Sequence, residues 1–204
     1  MGSEMCIRDS PNTRRVRIFI AEKGLEIPIV PVNMMTGENQ TEGYLAKNSL
    51  GKMPLLELDD GTCIAESAAI CRYLEEINPN PPLMRRDALE RALIDMWHRR
   101  MELEFLLPMI TIFLHTGEMW KDRVVQIPQV AEAGALNVKL RMEWLNNELD
   151  GKEYITGEDY TVADIAAQCA FIMGKAALGM RIPEDLVNLT DWFTRVSSRP
   201  TSRA

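Results

Sequence analysis

The stretch MPLLELDDGTCIAES, residues 53–67, decides how the first part of the chain folds. Two apolar runs flank Asp60-Gly61, which is a typical hairpin turn because both residues tolerate a positive φ. Ser67 follows the second run directly, and a serine at this place can cap a helix. The predicted elements are a strand over Met53–Leu58, a turn over Asp59–Thr62, a strand over Cys63–Ala65 and a helix over Ala68–Ile77.

The segment before the hairpin predicts a first helix. Val16, Phe19 and Ile20 recur at spacings of three and four residues, which is the period of a helix with one apolar face. Three arginines fall in the same helix. They could attract an anionic ligand, but with Glu22 nearby we expect them on the solvated face of the helix. The arginines are Arg14, Arg15 and Arg17, and the predicted limits of the helix are a cap at Asn12 or Thr13 and an end at Gly24.

An extended segment is predicted between this helix and the hairpin. Ile27–Val32 is rich in β-branched residues, but it contains Pro28 and Pro31. Because proline cannot donate a hydrogen bond to a strand ladder, we expect this segment at the edge of a sheet.

The second part of the chain begins after a proline-rich connector, Asn78–Pro82, in which helix is disfavoured. Beyond it the apolar pattern is almost entirely helical. A long helix is predicted from Arg86 to His115, with Pro108 bending it, and a second from Gln129 to Leu149. We therefore expect an α/β domain over residues 1–78, a linker over 79–85 and an all-α domain over 86–204.

A capping box marks the start of one further helix. Thr161 and Asp164 stand at the N-cap and N3 positions ahead of an apolar run, so each can hydrogen-bond the other's backbone N–H. Capping accounts for both residues, and we assign them to folding.

Composition and charge exclude several classes of protein. The 204 residues are 46% hydrophobic and 26% charged, as in ordinary globular proteins, and the net charge is −7. Nucleic-acid and anionic-membrane binders usually carry the opposite sign. No apolar stretch reaches the roughly 20 residues of a membrane span, and the N-terminus lacks a secretory signal pattern. We expect a cytoplasmic protein with no nucleic-acid or membrane partner.

The metal-ligating residues are few and scattered. Four cysteines lie too far apart for a redox pair or a zinc ribbon, and there are two histidines. The sequence therefore predicts reduced thiols and no metal site.

Four segments, in this order and at this spacing, resemble the cytosolic glutathione transferases, specifically the bacterial type with serine at the nucleophile-activating position. The segments are Ser10–Val16, Gly51–Pro54, Glu66–Ile70 and Thr161–Asp164. The resemblance covers about residues 5–200. It implies an α/β, thioredoxin-like N-terminal domain that binds glutathione as a co-substrate, and an all-α C-terminal domain that supplies most of the second-substrate pocket. It also implies a homodimer.

The same resemblance implies which residues bind glutathione. The peptide of Met53, held cis to Pro54, would meet the backbone of the tripeptide. Ser67 and the N-terminus of its helix would receive the γ-glutamyl α-carboxylate, and Glu66 would receive the ammonium group. Lys52 is placed to meet the glycyl carboxylate.

Glutathione must be ionised to react, and its free thiol has a pKa of about 8.5. Ser10 occupies the family's position just before the first helix, where its hydroxyl can donate to the sulfur with help from the helix dipole. Asn12 is the second candidate donor. A serine in place of cysteine favours a stabilised thiolate over mixed-disulfide chemistry, which needs a protein sulfur there.

The apolar electrophile would bind in the helical domain. Phe105, Met109 and Phe113 recur at helical spacing and are candidates for its pocket, although residues in this pattern more often belong to the core.

Two other functions remain open from the sequence. One is a non-enzymatic binding or interaction protein with the same fold. The other is a glutathione-dependent disulfide-bond reductase or peroxidase, which would use Asn12 and two glutathiones. The joint presence of Ser10, Met53-Pro54 and Glu66-Ser67 favours the transferase.

One segment departs from the family pattern. Met5–Ser10 takes the place of the family's first apolar strand, yet it contains Arg8, which is unusual in a strand that is covered on both faces.

Overall fold

The computed structural model describes residues 10–84 and 87–204. Their contacts form two compact units, of which the first extends to Leu83 and includes Arg203 and Ala204, and the second is Met84–Ser202. The limits expected from the sequence include residues outside the described ranges and stay predictions. The expected first strand, Met5–Ser10, also lies outside the described residues except for Ser10.

The first unit combines three α-helices with one β-hairpin among its described residues. The strands pair antiparallel, with Leu55 opposite Ala65 and Glu57 opposite Cys63, so the predicted hairpin is confirmed. The elements are α1 (Pro11–Glu22), a 3-10 turn (Glu38–Gln40), α2 (Glu42–Lys47), β1 (Leu55–Glu57), β2 (Cys63–Ala65) and α3 (Ser67–Ile77).

The hairpin turn uses its two central residues differently. Gly61 has φ +83, whereas Asp60 keeps a negative φ and acts through its side chain. Its carboxylate accepts a hydrogen bond from the Thr62 N–H at 2.8 Å, and this contact lowers the pKa of Asp60. Both residues tolerate a positive φ, but only Gly61 adopts one, because the Asp60 carboxylate closes the turn.

Ile27–Val32 does not form a strand in the structure. Ile29 and Val30 are exposed by 64% and 80% of their surface. The prediction of an edge strand was wrong, and the two prolines account for much of this because they remove backbone donors.

Two predicted caps are displaced by one or more residues. The N-cap of α1 is Ser10, not Asn12 or Thr13. The N-cap of α3 is Glu66, so Ser67 is the first helical residue. The predicted end of α1 is confirmed, since Gly24 follows the C-cap with φ +62, a conformation that favours glycine.

The packing of α1 on α3 combines an apolar centre with a buried ion pair. The Lys23 ammonium is fully buried and pairs with the Glu75 carboxylate. It also donates to the carbonyl oxygens of Asn78 at 2.8 Å and Pro81 at 2.6 Å. Glu75 in turn accepts from the Leu83 N–H at 3.1 Å. The end of α1 therefore holds the proline-rich segment that follows α3.

The second unit is helical throughout its regular elements. The predicted long helix is present in two parts, and the second predicted helix is confirmed within one residue of its limits. The elements are α4 (Ala88–Met101), a π-helical segment (Glu102–Leu106), α5 (Leu107–Thr116), a 3-10 turn (Glu118–Trp120), α6 (Pro128–Glu148), α7 (Val162–Leu178), α8 (Val187–Ser197) and a 3-10 turn (Pro200–Arg203).

Pro108 explains the interruption between α4 and α5. It has no N–H to donate to the carbonyl of Glu104, four residues earlier. The preceding turn, Glu102–Leu106, widens into a π-helix, which is a common way to absorb a missing hydrogen bond within a long helix.

Asp164 is a buried polar hub of the helical unit. Its Oδ1 accepts from the Ile155 N–H and from the Trp192 indole N–H, each at 2.9 Å. Its Oδ2 accepts from the Thr161 N–H at 3.0 Å, which confirms the reciprocal contact predicted for the capping box. Burial raises the pKa of Asp164, although these hydrogen bonds act in the opposite direction. One carboxylate thus joins the start of α7 to α8 and to the preceding loop.

We predict that Asp164→Ala lowers the free energy of unfolding by about 3–5 kcal/mol, because each buried donor left without an acceptor costs about 1–3 kcal/mol. Urea unfolding followed by tryptophan fluorescence measures the effect in this unit alone. All tryptophans belong to it: Trp97, Trp120, Trp144 and Trp192.

The exposed Asp150→Ala is the matched control and should change stability by less than about 0.5 kcal/mol. The comparison of wild type with Asp164→Asn adds a pH test. The pKa of Asp164 in the folded protein lies above its value of about 3.9 in the unfolded chain. The free energy of unfolding of the wild type should therefore exceed that of Asp164→Asn by the largest amount below about pH 3.9. This difference decreases as the pH rises through the folded pKa. A difference that grows with pH would contradict this assignment.

Candidate functional site

The N-terminal end of α3 brings together polar side chains from two helices. The Ser67 hydroxyl is buried and donates to Oδ1 of Asn12 at 3.3 Å. The Arg15 guanidinium donates to the Ser67 oxygen through Nη1 at 3.2 Å. The free N–H groups at this helix end and the helix dipole both favour an anion here. The structure therefore joins two predicted site residues, Asn12 and Ser67, to a third that was not predicted.

Arg15 is fully buried, so the expected solvated position was wrong for this arginine. Arg14 and Arg17 are half-buried. A signal for Arg15 was present in the sequence, because it stands one residue before Val16 and four before Phe19 on the apolar face of α1. Asn12 and Lys23 extend the same face.

Glu66 has an unusual backbone conformation, with φ +68 and ψ 117. It is the one described residue other than glycine with a positive φ. Its carbonyl accepts from the Ile70 N–H at 2.9 Å in the first turn of α3, while its side chain is exposed. Strain of this kind costs about 1–3 kcal/mol and is concentrated at functional sites. The carboxylate of Glu66 thus stands in solvent next to the anion-favouring end of α3.

Lys52 and Met53 lie in a loop whose backbone is held firmly. The Lys52 carbonyl accepts from the Asn48 amide at 2.7 Å and the Tyr44 hydroxyl at 2.9 Å. Gly51 has φ +59, and a Cβ there would lie 2.8 Å from the Asn39 carbonyl oxygen. The Lys52 side chain is exposed and has no ion-pair partner among the described residues. The Met53–Pro54 bond is cis.

Ser10 lies at the start of α1 and is half-buried. Its carbonyl accepts from the Arg14 N–H at 2.9 Å, but its hydroxyl does not cap the helix. Within the described residues, no hydrogen bond joins this hydroxyl to the group formed by Asn12, Arg15 and Ser67. The structure therefore leaves the hydroxyl available, at the same end of α1 as Asn12.

The three candidate pocket residues of the helical unit differ in their surroundings. Phe105 is fully buried and packs on Phe171 with ring centres 5.2 Å apart. Phe113 is half-buried and meets Trp120 edge to face at 6.0 Å. Met109 is buried and lines a cavity of about 310 Å³.

The wall of this cavity is apolar, and its rim carries two cations. Neither Lys175 nor Arg181 has an ion-pair partner among the described residues, and both are exposed. Gly174 leaves room for Met109, since a Cβ at this glycine would lie 2.9 Å from the Met109 sulfur. The apolar side chains that line the cavity are Met109, Met142, Phe171, Met180, Ile182 and Phe193.

Metal-ligating side chains do not cluster within the described ranges, 10–84 and 87–204. In the same ranges, no helix has both the length and the apolar character needed to cross a membrane.

Profiles of two protein families match most of the chain. Residues 9–77 match the glutathione S-transferase N-terminal domain, and residues 106–200 match the glutathione S-transferase C-terminal domain. The chain belongs to the glutathione S-transferase family. The fold class expected from the sequence, a thioredoxin-like domain followed by a helical domain, is thereby confirmed.

The relatives of this chain include a glutathione S-transferase, an isomerase and an elongation factor. Glutathione S-transferase 2 of Saccharomyces cerevisiae is 32% identical over 209 residues, which cover 98% of this chain and 89% of the relative. A maleylacetoacetate isomerase of Pseudomonas aeruginosa is 44% identical over 85 residues, 41% of this chain and 40% of the relative. Elongation factor 1-gamma of Prunus avium is 30% identical over 82% of this chain but only 38% of its own length.

Solved structures of the family superpose closely on this one. A glutathione S-transferase domain-containing protein of Marinobacter aquaeolei has a TM-score of 0.88 and 36% identity, with 95% of this chain and 96% of that chain covered. Gtt2 of Saccharomyces cerevisiae has a TM-score of 0.88 and 31% identity, with 96% of each chain covered.

We predict that Glu66→Gly stabilises the first unit by about 0.5–1 kcal/mol, since glycine adopts a positive φ without the steric cost that other residues incur. Differential scanning calorimetry measures the shift. Glu66→Ala is the matched control, because it also removes the carboxylate but keeps the strained conformation. Equal stability of the two variants would mean that Glu66 is unstrained.

Proposed function

We propose that this glutathione S-transferase family member is an active transferase of the bacterial serine type, which ionises bound glutathione and directs the thiolate at an apolar electrophile. The observation that carries the proposal is the group at the start of α3. There, the buried Ser67 hydroxyl contacts the side chains of Arg15 and Asn12 from α1, and the exposed Glu66 is its neighbour in sequence.

The γ-glutamyl end of glutathione has the complementary chemistry. Its α-carboxylate needs donors, which the Ser67 hydroxyl and the first N–H groups of α3 supply. Its ammonium group needs an anion, and the exposed carboxylate of Glu66 is adjacent in sequence. The strained backbone of Glu66, between the end of β2 and the start of α3, supports this role, because such strain is concentrated at functional sites.

The remaining parts of the tripeptide are assigned to the loop before β1. Met53 would pair with the cysteinyl backbone of glutathione through its own peptide group. The Lys52 ammonium would meet the glycyl carboxylate, and its exposed, unpaired side chain is suited to that contact.

Activation of the thiol is assigned first to the Ser10 hydroxyl. Ser10 precedes α1, so a thiolate beside it would also lie near the positive end of that helix. Asn12, two residues later, is the alternative donor. Its Oδ1 already accepts from Ser67, which leaves its amide N–H groups for a ligand.

The electrophile is assigned to the helical unit, with Met109 as the leading contact because it lines the cavity of about 310 Å³. Cavities that bind small ligands have volumes of about 300–1,000 Å³. Phe105 does not line the cavity but packs on Phe171, which does. Phe113 is not among the lining residues either and contacts Trp120. The two exposed cations of the cavity, Lys175 and Arg181, favour apolar electrophiles that also carry a negatively charged group.

A non-enzymatic role is the second candidate, and one comparison favours it. The elongation factor 1-gamma relatives contain a region similar to this chain within a longer protein. The disulfide-reductase or peroxidase alternative requires Asn12 instead of Ser10 as the thiol donor. Cytoplasmic location and a homodimer are further parts of the proposal.

We predict that Ser10→Ala raises the pKa of the bound glutathione thiol toward its free value of about 8.5 while leaving glutathione affinity within about twofold. The ultraviolet absorbance of the thiolate, titrated against pH, measures this pKa, and isothermal calorimetry measures the affinity. Asn12→Ala is examined in parallel, and the exposed Ser198→Ala is the control.

A shift confined to Asn12→Ala would transfer the role to the amide and favour the disulfide-reductase alternative. A wild-type protein that binds glutathione without lowering its thiol pKa would favour the interaction protein. A wild-type protein that binds no glutathione would contradict the proposed transferase.

We predict a homodimer at micromolar concentration, since the family resemblance implies one. Sedimentation velocity distinguishes it from the 23.2 kDa monomer. A stable monomer across the concentration range would overturn the prediction.

A further inference from the structure

In the hydrogen bond between Arg15 and Ser67, the chemistry of the two groups determines which one is the donor. A guanidinium carries only donors, so Nη1 of Arg15 must donate and the Ser67 oxygen must accept across their 3.2 Å contact. A hydroxyl has a single proton. Because the Ser67 oxygen accepts a hydrogen bond from Arg15, the Ser67 hydroxyl must donate its one proton to a different group.

In this structure the acceptor is Oδ1 of Asn12, at 3.3 Å. This is a long O–H···O contact, since such bonds usually measure about 2.5–3.0 Å. A carboxylate at the N-terminus of α3 would be a stronger acceptor, because hydrogen bonds to charged groups are shorter and about twice as strong. The Ser67 proton would then turn from Asn12 to the ligand, while Arg15 keeps the oxygen in place.

Burial makes the arginine effective in this role. Its exposure is 0%, and its guanidinium group carries a positive charge. A fixed positive charge one hydroxyl away from the ligand site attracts an anion more strongly than the same charge in water would. The guanidinium is too deeply buried to be counted among the solvent-facing anion donors, so it acts through Ser67.

We propose that Arg15 is a positioning residue which orients the Ser67 hydroxyl as a donor, and thereby selects ligands that carry a carboxylate at the γ-glutamyl α-position. This inference rests on the proposed function, because glutathione supplies that carboxylate. It adds a residue to the site, and it gives Arg15 a role toward one group of the ligand in addition to its contact between α1 and α3.

The test compares two ligands by calorimetric titration. They are glutathione and γ-aminobutyryl-cysteinylglycine, which is glutathione without its α-carboxylate. Arg15→Met should weaken glutathione binding by about tenfold and binding of the analogue by less than about twofold. Arg15→Lys, which restores a charge and a donor, should recover part of the loss. Arg17→Met, on the same helix, is the control and should change neither affinity.

A double-mutant cycle with Ser67→Ala isolates the coupling. In the Ser67→Ala background, Arg15→Met should have little further effect on glutathione binding, because the hydroxyl that it orients is absent. If Arg15→Met does not fold, Arg15→Lys serves alone: it should bind glutathione more weakly than wild type does and bind the analogue equally well.

The inference and the proposed function fail in different ways. Equal weakening of both ligands, or additive effects in the cycle, would overturn the role of Arg15 while glutathione binding by the wild type stands. Unchanged glutathione binding in Arg15→Met would do the same. A wild-type protein that binds neither ligand would remove the proposed function, and the inference with it.

Discussion

The packing of α1 on α3 is the contact on which the first unit depends. Its centre is apolar, but each end is closed by a buried cation of α1. Arg15 reaches the first residue of α3 at the site end, and Lys23 pairs with Glu75 and with backbone carbonyls beyond α3 at the other. Because a buried cation without partners is very costly, these two contacts fix how far α1 can slide or rotate. The position of the site and the path of the proline-rich segment are therefore set by the same helix pair.

The site end of that pair concentrates features that lower stability. Glu66 holds a strained backbone conformation, and Ser67 and Arg15 are polar groups in a buried position. Such features are typical of binding sites, where part of the stability of the fold is given up to keep donors and charges ready for a ligand. The apolar centre of the α1 and α3 contact compensates for this cost.

The helical unit also contains a buried ionisable side chain, the carboxylate of Asp164. Asp164, in the first turn of α7, accepts hydrogen bonds from the preceding loop, from the N-cap residue Thr161 and from α8. Its burial is tolerated because both oxygens have partners, in agreement with the general rule for buried charged groups. The cavity lined by Met109 lies in the same unit, and its methionine-rich wall is suited to ligands of varied shape.

The sequence by itself determined the elements that depend on near neighbours. The hairpin around Gly61, the end of α1 at Gly24, the capping box at Thr161 and the interruption near Pro108 all follow from interactions within a few residues. The position of Arg15 on the apolar face of α1 could be read from the sequence, but only the tertiary structure determined its buried partner, since Ser67 is 52 residues away. The tertiary structure also decided that Ile27–Val32 would not pair as a strand. Residue type predicts a solvated arginine at position 15 and a strand over Ile27–Val32. Whether a charged side chain is buried or a segment pairs as a strand depends on residues that are distant in sequence.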